Sequence, residues 1–503
     1  MRLFGYNVSI NKAAQGRPNY RNYSGAKGSN LTADWMTTNL TADETIRWSL
    51  RQLRSRSRDL AINNDHMKNF LRKLKVNVVG PSGIGMQSKA RLRSGELDAR
   101  TNPKIEAAWA DWTKRRNASV CGTQSLRDLC NTALETVARD GEVLLRKYRA
   151  YDNPFRFALQ IIEADHLDEN LNRTTEDGNR ITMGIEKNPY GKPVAYYLFA
   201  KHPGDSSQAG QKYVRVPAEE IIHIFLKERP TQSRGVPWAH TAIIRLRMLG
   251  AYEEAALVNA RIGASKMQSI IMGENQSEFE GDSRDAYNNI IQEVEPGMRD
   301  VLPYGTTIHD SMPPFPNGEH GIFTKAMLRG IASGLGVSYN SLANDLEGVN
   351  FSSLRSGLLE ERDGWKAVQT WFIESMLDEL YPDWLDMAII SGQLSISMAD
   401  TSRLSAPRWQ PRRWEWVDPE KDINARITAL KAGLTTRTRI CGEVGDDFEE
   451  ILEELEEEQQ MIDDAGLVFN LEGKTAGANQ QAEPNKPAAT NDATNSGGSN
   501  NGN

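Results

Sequence analysis

The stretch from Pro237 to Met267 limits the architecture more than any other part of this chain. It reads as one long helix, and about thirty helical residues span roughly 45 Å. Ala251, Ala255, Ala256, Ala260, Gly263 and Ala264 fall within it. Small residues every three or four positions let helices approach closely. An isolated surface helix has no use for that, whereas a helix packed against copies of itself does. A second helical stretch, 321–335, carries Phe323, Ala326, Met327, Ile331 and Leu335 on one face. Between the two lie a short apolar strand (Ser269–Met272), an acidic helix-like piece (Ser283–Glu293) and a return punctuated by Pro296, Pro303, Pro313, Pro314 and Pro316. Two helices bracketing a compact insertion describe a stalk with a small domain at its tip.

The rest of the chain reads as mixed helix and strand around this stalk. Residues 1–43 show no period and read as an extended arm. From 44 to 60, Ile46, Leu50 and Leu53 give a helical spacing decorated by Arg47, Arg51, Arg54, Arg56 and Arg58. Such a face serves either nucleic acid or acidic neighbours in the fold, and the second is the commoner use. A second amphipathic helix, 63–79, stops at Gly80-Pro81. From 104 to 148 the spacing of Trp109, Trp112, Leu126, Leu129, Leu134 and Val137 is helical. Short β-type runs follow over 142–225: Phe157–Ile162, then Met183–Glu186 and Val194–Phe199 flanking an Asn188-Pro189-Tyr190-Gly191 turn, then Tyr213–Val216 and Ile221–Phe225. Residues 337–350 are polar and break the pattern. A long helix over 351–380 follows, expected to end at Pro382, with a separate short helix over Trp384–Leu394. A helical unit spans 418–467, in which thirteen positions from 446 to 458 hold nine acidic side chains around a stripe of Phe448, Ile451, Leu452 and Leu455. The Asn-, Gly- and Ala-rich end reads as disordered, and its removal should leave assembly intact.

Little chemistry is visible. The formal net charge of −7 argues against tight DNA binding, though not against DNA that slides past. Three cysteines, Cys121, Cys130 and Cys441, lack the paired spacing of a disulfide framework or zinc site. The N-terminus has no apolar core of signal-peptide length, and no run of eighteen apolar residues occurs, so a cytoplasmic origin and no membrane association are expected. There is no GxxxxGK[ST] loop, GxSxG elbow or HExxH pair, and no metal cluster among the seven histidines. Gly80-Pro81-Ser82-Gly83-Ile84-Gly85 lacks the lysine of a phosphate loop and reads as a turn. Glu163 and Asp165, expected to share one face of a strand, are the best metal or acid/base candidates, with Asp140 and Glu142 nearby. No lysine or histidine adjoins them in sequence, so salt bridges and turn hydrogen bonds are the expected role. No catalytic residue, metal or cofactor is assigned.

Several strings, in this order, resemble the lambda-type portal proteins of tailed bacteriophages. They are LRSRSRDLAINNDHMKNFLRKLKVNVVG (53–80), ARDGEVLL (138–145) with IIEADHL (161–167), GIEKNPYGKPVAYYLF (184–199) with RVPAEEIIHIF (215–225), RPTQSRGVPWAHTAI (229–243), and GIASGLGVSYNSLANDLEGVNFSSLRSGLLEERDGW (330–365). The resemblance covers roughly 45–420. It implies an α+β portal fold assembled as a ring, usually of twelve subunits. The implied regions are a mixed wing (44–236 and 351–417), a helical stem (237–267 and 321–336), a small α/β clip (268–320), a tunnel loop (337–350), a helical crown (418–467) and a tail (468–503). It implies no enzyme. The implied partners are the large terminase, the major capsid protein and scaffold, a head–tail connector, and double-stranded DNA passing without sequence specificity. The implied location is the virion's portal vertex, with assembly in the host cytoplasm. The residues it places along the DNA channel are Lys325 and Arg329, four apart on the second stem helix, and Asn340, Asn344, Asp345, Glu347 and Asn350 of the loop. Lys325 and Arg329 would either form basic rings or bridge to a neighbouring subunit. Ala251, Ala255, Ala256, Ala260, Gly263 and Ala264 would pack subunits in the stem. The alternatives are another structural ring, such as a head–tail adaptor, and a metal-dependent DNA-processing enzyme resting on Glu163 and Asp165.

Overall fold

The computed structural model describes residues 37–205, 212–264, 319–347, 350–414, 419–444 and 448–465, with short strands at 2–3, 6–7, 268–271, 283–284, 290–291 and 299–302. The chain divides into two units, Met1–Val417 and Asp418–Asn503.

In the first unit β1 (Arg2–Leu3) pairs antiparallel with β2 (Tyr6–Asn7), and the rest of the expected arm up to residue 36 lies outside the described residues. The helix expected over 44–60 is two helices, α1 (Ala42–Arg47) and α2 (Leu50–Asn63). α3 (Asp65–Val78) follows at once. Asn64 ends α2 and caps α3, its side-chain oxygen accepting from the Met67 N–H at 3.0 Å. β3 (Gly85–Ser88), α4 (Asn102–Trp112), α5 (Arg115–Ala118) and α6 (Leu126–Asp140) come next. A capping box between Ser125 and Asp128 starts α6.

Gly141 then turns the chain into β4 (Glu142–Arg149) with φ of 95°, and a Cβ there would lie 2.6 Å from the Val236 carbonyl carbon. Only glycine meets both conditions. β4 pairs with β5 (Phe157–Glu163), which covers the expected 157–162 run. A meander of β6 (Arg173–Thr174), β7 (Arg180–Thr182), β8 (Ile185–Lys187), β9 (Pro193–Phe199) and β10 (Tyr213–Pro217) follows, with the predicted turn between β8 and β9. In that turn the Asn188 side chain accepts from the N–H groups of Tyr190 and Lys192. β11 (Ile221–Phe225) returns to pair with β4, giving a three-stranded sheet in the order β11–β4–β5.

α7 (Ile243–Ala264) starts six residues later than the sequence pattern placed it, because residues 238–242 form turns. Beyond it, β12 (Gln268–Ile271) and β15 (Arg299–Leu302) pair in parallel, and β13 (Ser283–Arg284) pairs with β14 (Ile290–Ile291). The acidic piece expected to be helical therefore contributes two short strands. α8 (His320–Leu335) and α9 (Tyr339–Ala343) lead to α10 (Phe351–Phe372). α10 runs through a widened turn, Ile373–Leu377, directly into α11 (Asp378–Ile390).

Pro382 thus sits inside a helix and does not end one. A proline costs a helix interior about 3 kcal/mol. Leu380, Tyr381, Trp384, Leu385 and Ala388 on the same segment are all buried, and each large side chain so buried returns about 1.5–3 kcal/mol. The burial outweighs the break. α12 (Thr401–Leu404) and β16 (Pro407–Gln410) close the unit, β16 pairing antiparallel with β3.

The core lies where α3, α6 and α10–α11 meet the three-stranded sheet. An aromatic cluster anchors it: Trp109 meets Trp384 edge-on at 4.8 Å and lies 5.1 Å from Trp112. The Trp112 indole donates to the Phe157 carbonyl at 3.0 Å, so its polar edge is satisfied.

The second unit consists of α13 (Pro419–Lys431), α14 (Arg437–Val444) and α15 (Phe448–Asp464). Leu452 and Leu455 of the predicted apolar stripe are about half exposed. Residues from 466 on, including the tail read as disordered, lie outside the described residues. No described helix is long and apolar enough to cross a membrane.

Candidate functional site

The segment between α8 and α10 is not the plain loop expected over 337–350. Gly336 ends α8 in the left-handed region, φ 69°, its N–H donating back to Ala332 and Ser333. The Ser338 hydroxyl then caps α9, accepting from the Ser341 N–H, and donates to Glu361 at 2.7 Å. Leu342 is buried, which is why five residues of a mostly polar stretch hold a helical turn. Asn344 stops it in the left-handed region with φ 52°, a conformation asparagine tolerates better than most residues. The side-chain amide of Asn69 on α3 donates to the Ser341 and Leu342 carbonyls at 3.1 and 2.9 Å. It satisfies acceptors that the end of α9 leaves open.

A charged cluster ties the following residues to α8. Lys325 lies 3.0 Å from Glu347 and 3.4 Å from Asp345. The Tyr339 hydroxyl donates to Asp345 at 2.6 Å, and Asp345 in turn accepts the Glu347 N–H at 2.9 Å. Arg329, one turn along from Lys325, has its guanidinium 5.5 Å from the Tyr339 ring centre. Tyr339 and Lys325 hold the Asp345 carboxyl below the ordinary carboxylate range, and Glu347 and Asp345 raise the Lys325 ammonium above its own. Lys325 is thus paired within its own chain, an arrangement that was not among the two expected for it. Asn340 is half-buried on α9, and Asn344 and Asn350 are exposed. Tyr339 and Asn69 were missed by sequence reasoning, and no spacing pattern connects Asn69 to residues 272 and 273 positions away.

This latch carries a pH prediction. A carboxyl whose pKa is lowered in the fold stabilises the fold above its ordinary value of 3.8 and loses that effect as pH falls through the lower folded value. The protection of residues 344–347, taken as exchange relative to unstructured amides at the same pH, should therefore hold at neutral pH and be lost only in that acid window. In Asp345→Asn that protection should already be absent at pH 7, with no acid step. Equal protection in the two proteins at pH 7 would show that the latch does not form.

The second candidate cluster, around the acidic residues, is built from ion pairs. Glu163 ends β5, but Asp165 lies in the 3-10 turn Ala164–His166, so the two do not share a strand face. The structure brings in a histidine that sequence proximity did not: His202 Nε2 is 3.1 Å from Glu163. Ligand atoms of Glu163, Asp165 and His202 lie within 4.8 Å of one another, a spacing a metal ion could use. Asp165 is nevertheless paired with Arg58, which also holds Asp140 at 2.9 Å. Glu142, fully buried, accepts from Arg54 at 2.9 Å, Arg234 at 2.7 Å, His223 at 2.9 Å and the Gly235 N–H at 3.0 Å. Burial would raise its pKa, but Arg234, His223 and Arg54 override this and hold it far below the carboxylate range. Arg54 and Arg58 of the basic helix are thus spent on acidic neighbours within the fold.

On α7, Ala251 and Ala255 are exposed, and Ala256 and Ala260 are half-buried. The exposure of Gly263 and Ala264 lies outside what is described. Ile244, Met248 and Leu257 on the same helix are each more than half exposed, so α7 presents apolar surface as well as small residues.

A family model described as phage portal protein, lambda family, matches residues 28–369. The probable portal protein of Halomonas phage phiHAP-1 is 39 % identical over 446 residues, spanning 87 % of this chain and 85 % of that protein. Portal protein B of Escherichia phage lambda is 22 % identical over 508 residues, spanning 90 % of this chain and 92 % of that one. A solved structure described as the neck of an empty GTA particle aligns with a TM-score of 0.41 and 16 % identity, over 79 % of this chain and 94 % of that chain.

Proposed function

The chain belongs to the lambda family of phage portal proteins, and we propose that its copies close into a ring, of about twelve subunits by family analogy, at one vertex of a capsid. Double-stranded DNA enters and leaves the particle through that ring. The large terminase docks on it during packaging, and a head–tail connector docks afterwards. The major capsid protein and scaffold surround it during assembly in the host cytoplasm, and in the finished virion it remains at the portal vertex. Its role is structural, not catalytic.

The observation that carries this reading is the family match across residues 28–369, a range that includes α7, α8 and α9. The fold is compatible with it. α7 offers small and exposed apolar residues to a neighbour, and we assign residues 337–350, which include most of the latched segment, to the tunnel loop. We assign 44–236 and 351–417 to the wing, 237–267 and 321–336 to the stem, 268–320 to the clip and 418–467 to the crown. Asn340, Asn344, Asp345, Glu347 and Asn350, together with Lys325 and Arg329, are the residues we propose along the DNA path.

Purified protein should sediment as a closed ring many times its 56.3 kDa mass and show a central channel in electron micrographs. With a net charge of −7 per copy, its affinity for duplex DNA should be weak, non-specific and strongly salt-dependent. A stable monomer at micromolar concentration would overturn the reading, and so would tight sequence-selective binding at physiological salt.

A further inference from the structure

A polar pocket of about 670 Å³ opens between α1, strands β7 and β8 and the chain that follows β11. Four cations line it, Arg47, Arg180, Lys187 and Lys227, against two carboxylates, Asp43 and Glu44. Asp43 is committed to the backbone beside it, accepting the Ser233 N–H at 2.7 Å and the Ser233 hydroxyl as well. The Lys187 ammonium donates to that same hydroxyl oxygen. Among the described residues, Arg180, Lys187 and Lys227 form no ion pair with a carboxylate.

The cations are placed against one another. Arg180 and Lys187 are direct partners across the β7–β8 ladder. Side chains so placed have Cβ atoms about 4.5–5.5 Å apart, and like charges there destabilise a sheet. Burial, helped by Lys227 and Arg180, pushes the Lys187 ammonium below its ordinary range, and Asp43 offsets this only in part. The Nε of Arg47, at the end of α1, is buried and has no hydrogen-bond partner among the described residues. A buried donor left unpaired and a like-charge pair both cost stability, and an anion seated in the pocket would offset both.

We propose that this pocket binds a terminal phosphate group, free or carried by a nucleotide or by the end of a nucleic-acid strand, between Arg47, Arg180, Lys187 and Lys227. Such a group carries nearly two negative charges on three strong acceptor oxygens. That matches a wall with two more cations than carboxylates. A carboxylate, or one phosphodiester within a strand, brings a single charge. Thr182 and Thr231 on the same wall add hydroxyl groups that can donate to the remaining oxygens. The site lies within one subunit and does not depend on what the assembled protein does.

The test uses the full chain at constant ionic strength and about pH 8, where a terminal phosphate is a dianion. Lysine acetylation is read by mass spectrometry in the presence of inorganic phosphate, a 5′-phosphorylated oligonucleotide, the same oligonucleotide without its terminal phosphate, or acetate. Lys187 and Lys227 should be protected severalfold by inorganic phosphate or by the phosphorylated oligonucleotide, and by neither of the other two. Protection by inorganic phosphate supports the proposal with a free ligand as the source. Protection by the phosphorylated oligonucleotide, where inorganic phosphate has no effect, supports it with a strand end as the source. In Arg180→Gln/Lys227→Gln, calorimetric titration with the protecting probe should show binding about tenfold weaker or more. In phosphate-free buffer that variant should melt no lower than the parent protein, because the repulsion around Lys187 is relieved. Protection by neither phosphate probe overturns the proposal, and so does equal protection by acetate or by the unphosphorylated oligonucleotide. A variant that melts lower without phosphate also overturns it, because these cations then serve the fold and not a ligand.

Discussion

Arg234→Met should destabilise the first unit by about 3–5 kcal/mol, the cost of removing one partner of a buried ion pair. Arg234 has no solvent exposure. Besides its 2.7 Å bond to Glu142, it donates to the Met183 carbonyl at 2.9 Å and the Ala164 carbonyl at 3.1 Å. One side chain thereby joins the start of β4, the turn after β5 and the turn before β8. Methionine fills much of the space and satisfies none of these acceptors. Glu142 keeps Arg54 and His223 but loses its strongest compensating charge. In the intact protein Arg234 keeps this buried carboxyl far below the usual range, and without it burial pushes the carboxyl up, so the penalty should be largest near neutral pH and shrink as falling pH protonates the stranded carboxyl of the variant. Thermal and denaturant unfolding of the purified protein would measure it. Lys366→Ala is the control: it breaks an exposed pair with Asp363 and should cost less than about 1 kcal/mol. In the double variant Glu142→Gln/Arg234→Met the loss should be smaller than the sum of the single losses, since each single variant strands the other's partner. An Arg234→Met protein as stable as the Lys366→Ala control would show that the buried network does not hold these elements together.

The second large effect is expected from the segment after α9. Replacing 343–349 with a short Gly/Ser linker removes Asp345 and Glu347, the partners of Lys325, and the left-handed stop at Asn344. The replacement leaves α7 and the Asn69 clamp on Ser341 untouched. Rings and procapsids should therefore form at normal yield, while stably DNA-filled heads should fall severalfold, because the segment proposed to border the DNA path can no longer be held in place. Normal yields of filled, infectious particles would show that the segment does not handle DNA. Failure to form rings would show instead that it is a structural connector.

How far the sequence could be read differed from element to element. The hairpin at 188–191, the stop at Gly80 and the spacing of Trp109, Trp112, Leu129 and Val137 were legible because a local rule decides each. Pro382 misled, because the rule that prolines end helices is local, whereas the burial of Tyr381 and Trp384 that overrides it depends on where α4 and β16 end up. The site was less legible still. Lys325 and Asp345 could be named as charged residues near a break, but their pairing depends on α9, whose existence rests on burying Leu342 and on Asn69 far upstream. The same holds for His202 beside Glu163, which meet only because the meander β6–β10 folds back. For Arg54 and Arg58 the sequence already favoured acidic neighbours over nucleic acid, but only the third dimension named Glu142, Asp140 and Asp165 as those neighbours.

The pairing of β16 with β3 also sets a timetable for synthesis. Asp98, just after β3, bonds to Arg403, just before β16, 305 residues further along the chain. At about 5–20 residues per second, a ribosome needs roughly 15–60 s to deliver that partner. Trp384 and Trp409, which cover Trp109, arrive equally late. For that interval the nascent chain carries an uncovered indole surface and an unpaired strand edge. The first unit is therefore completed only when nearly all of it has left the ribosome, and each growing chain has to be kept from its neighbours until then.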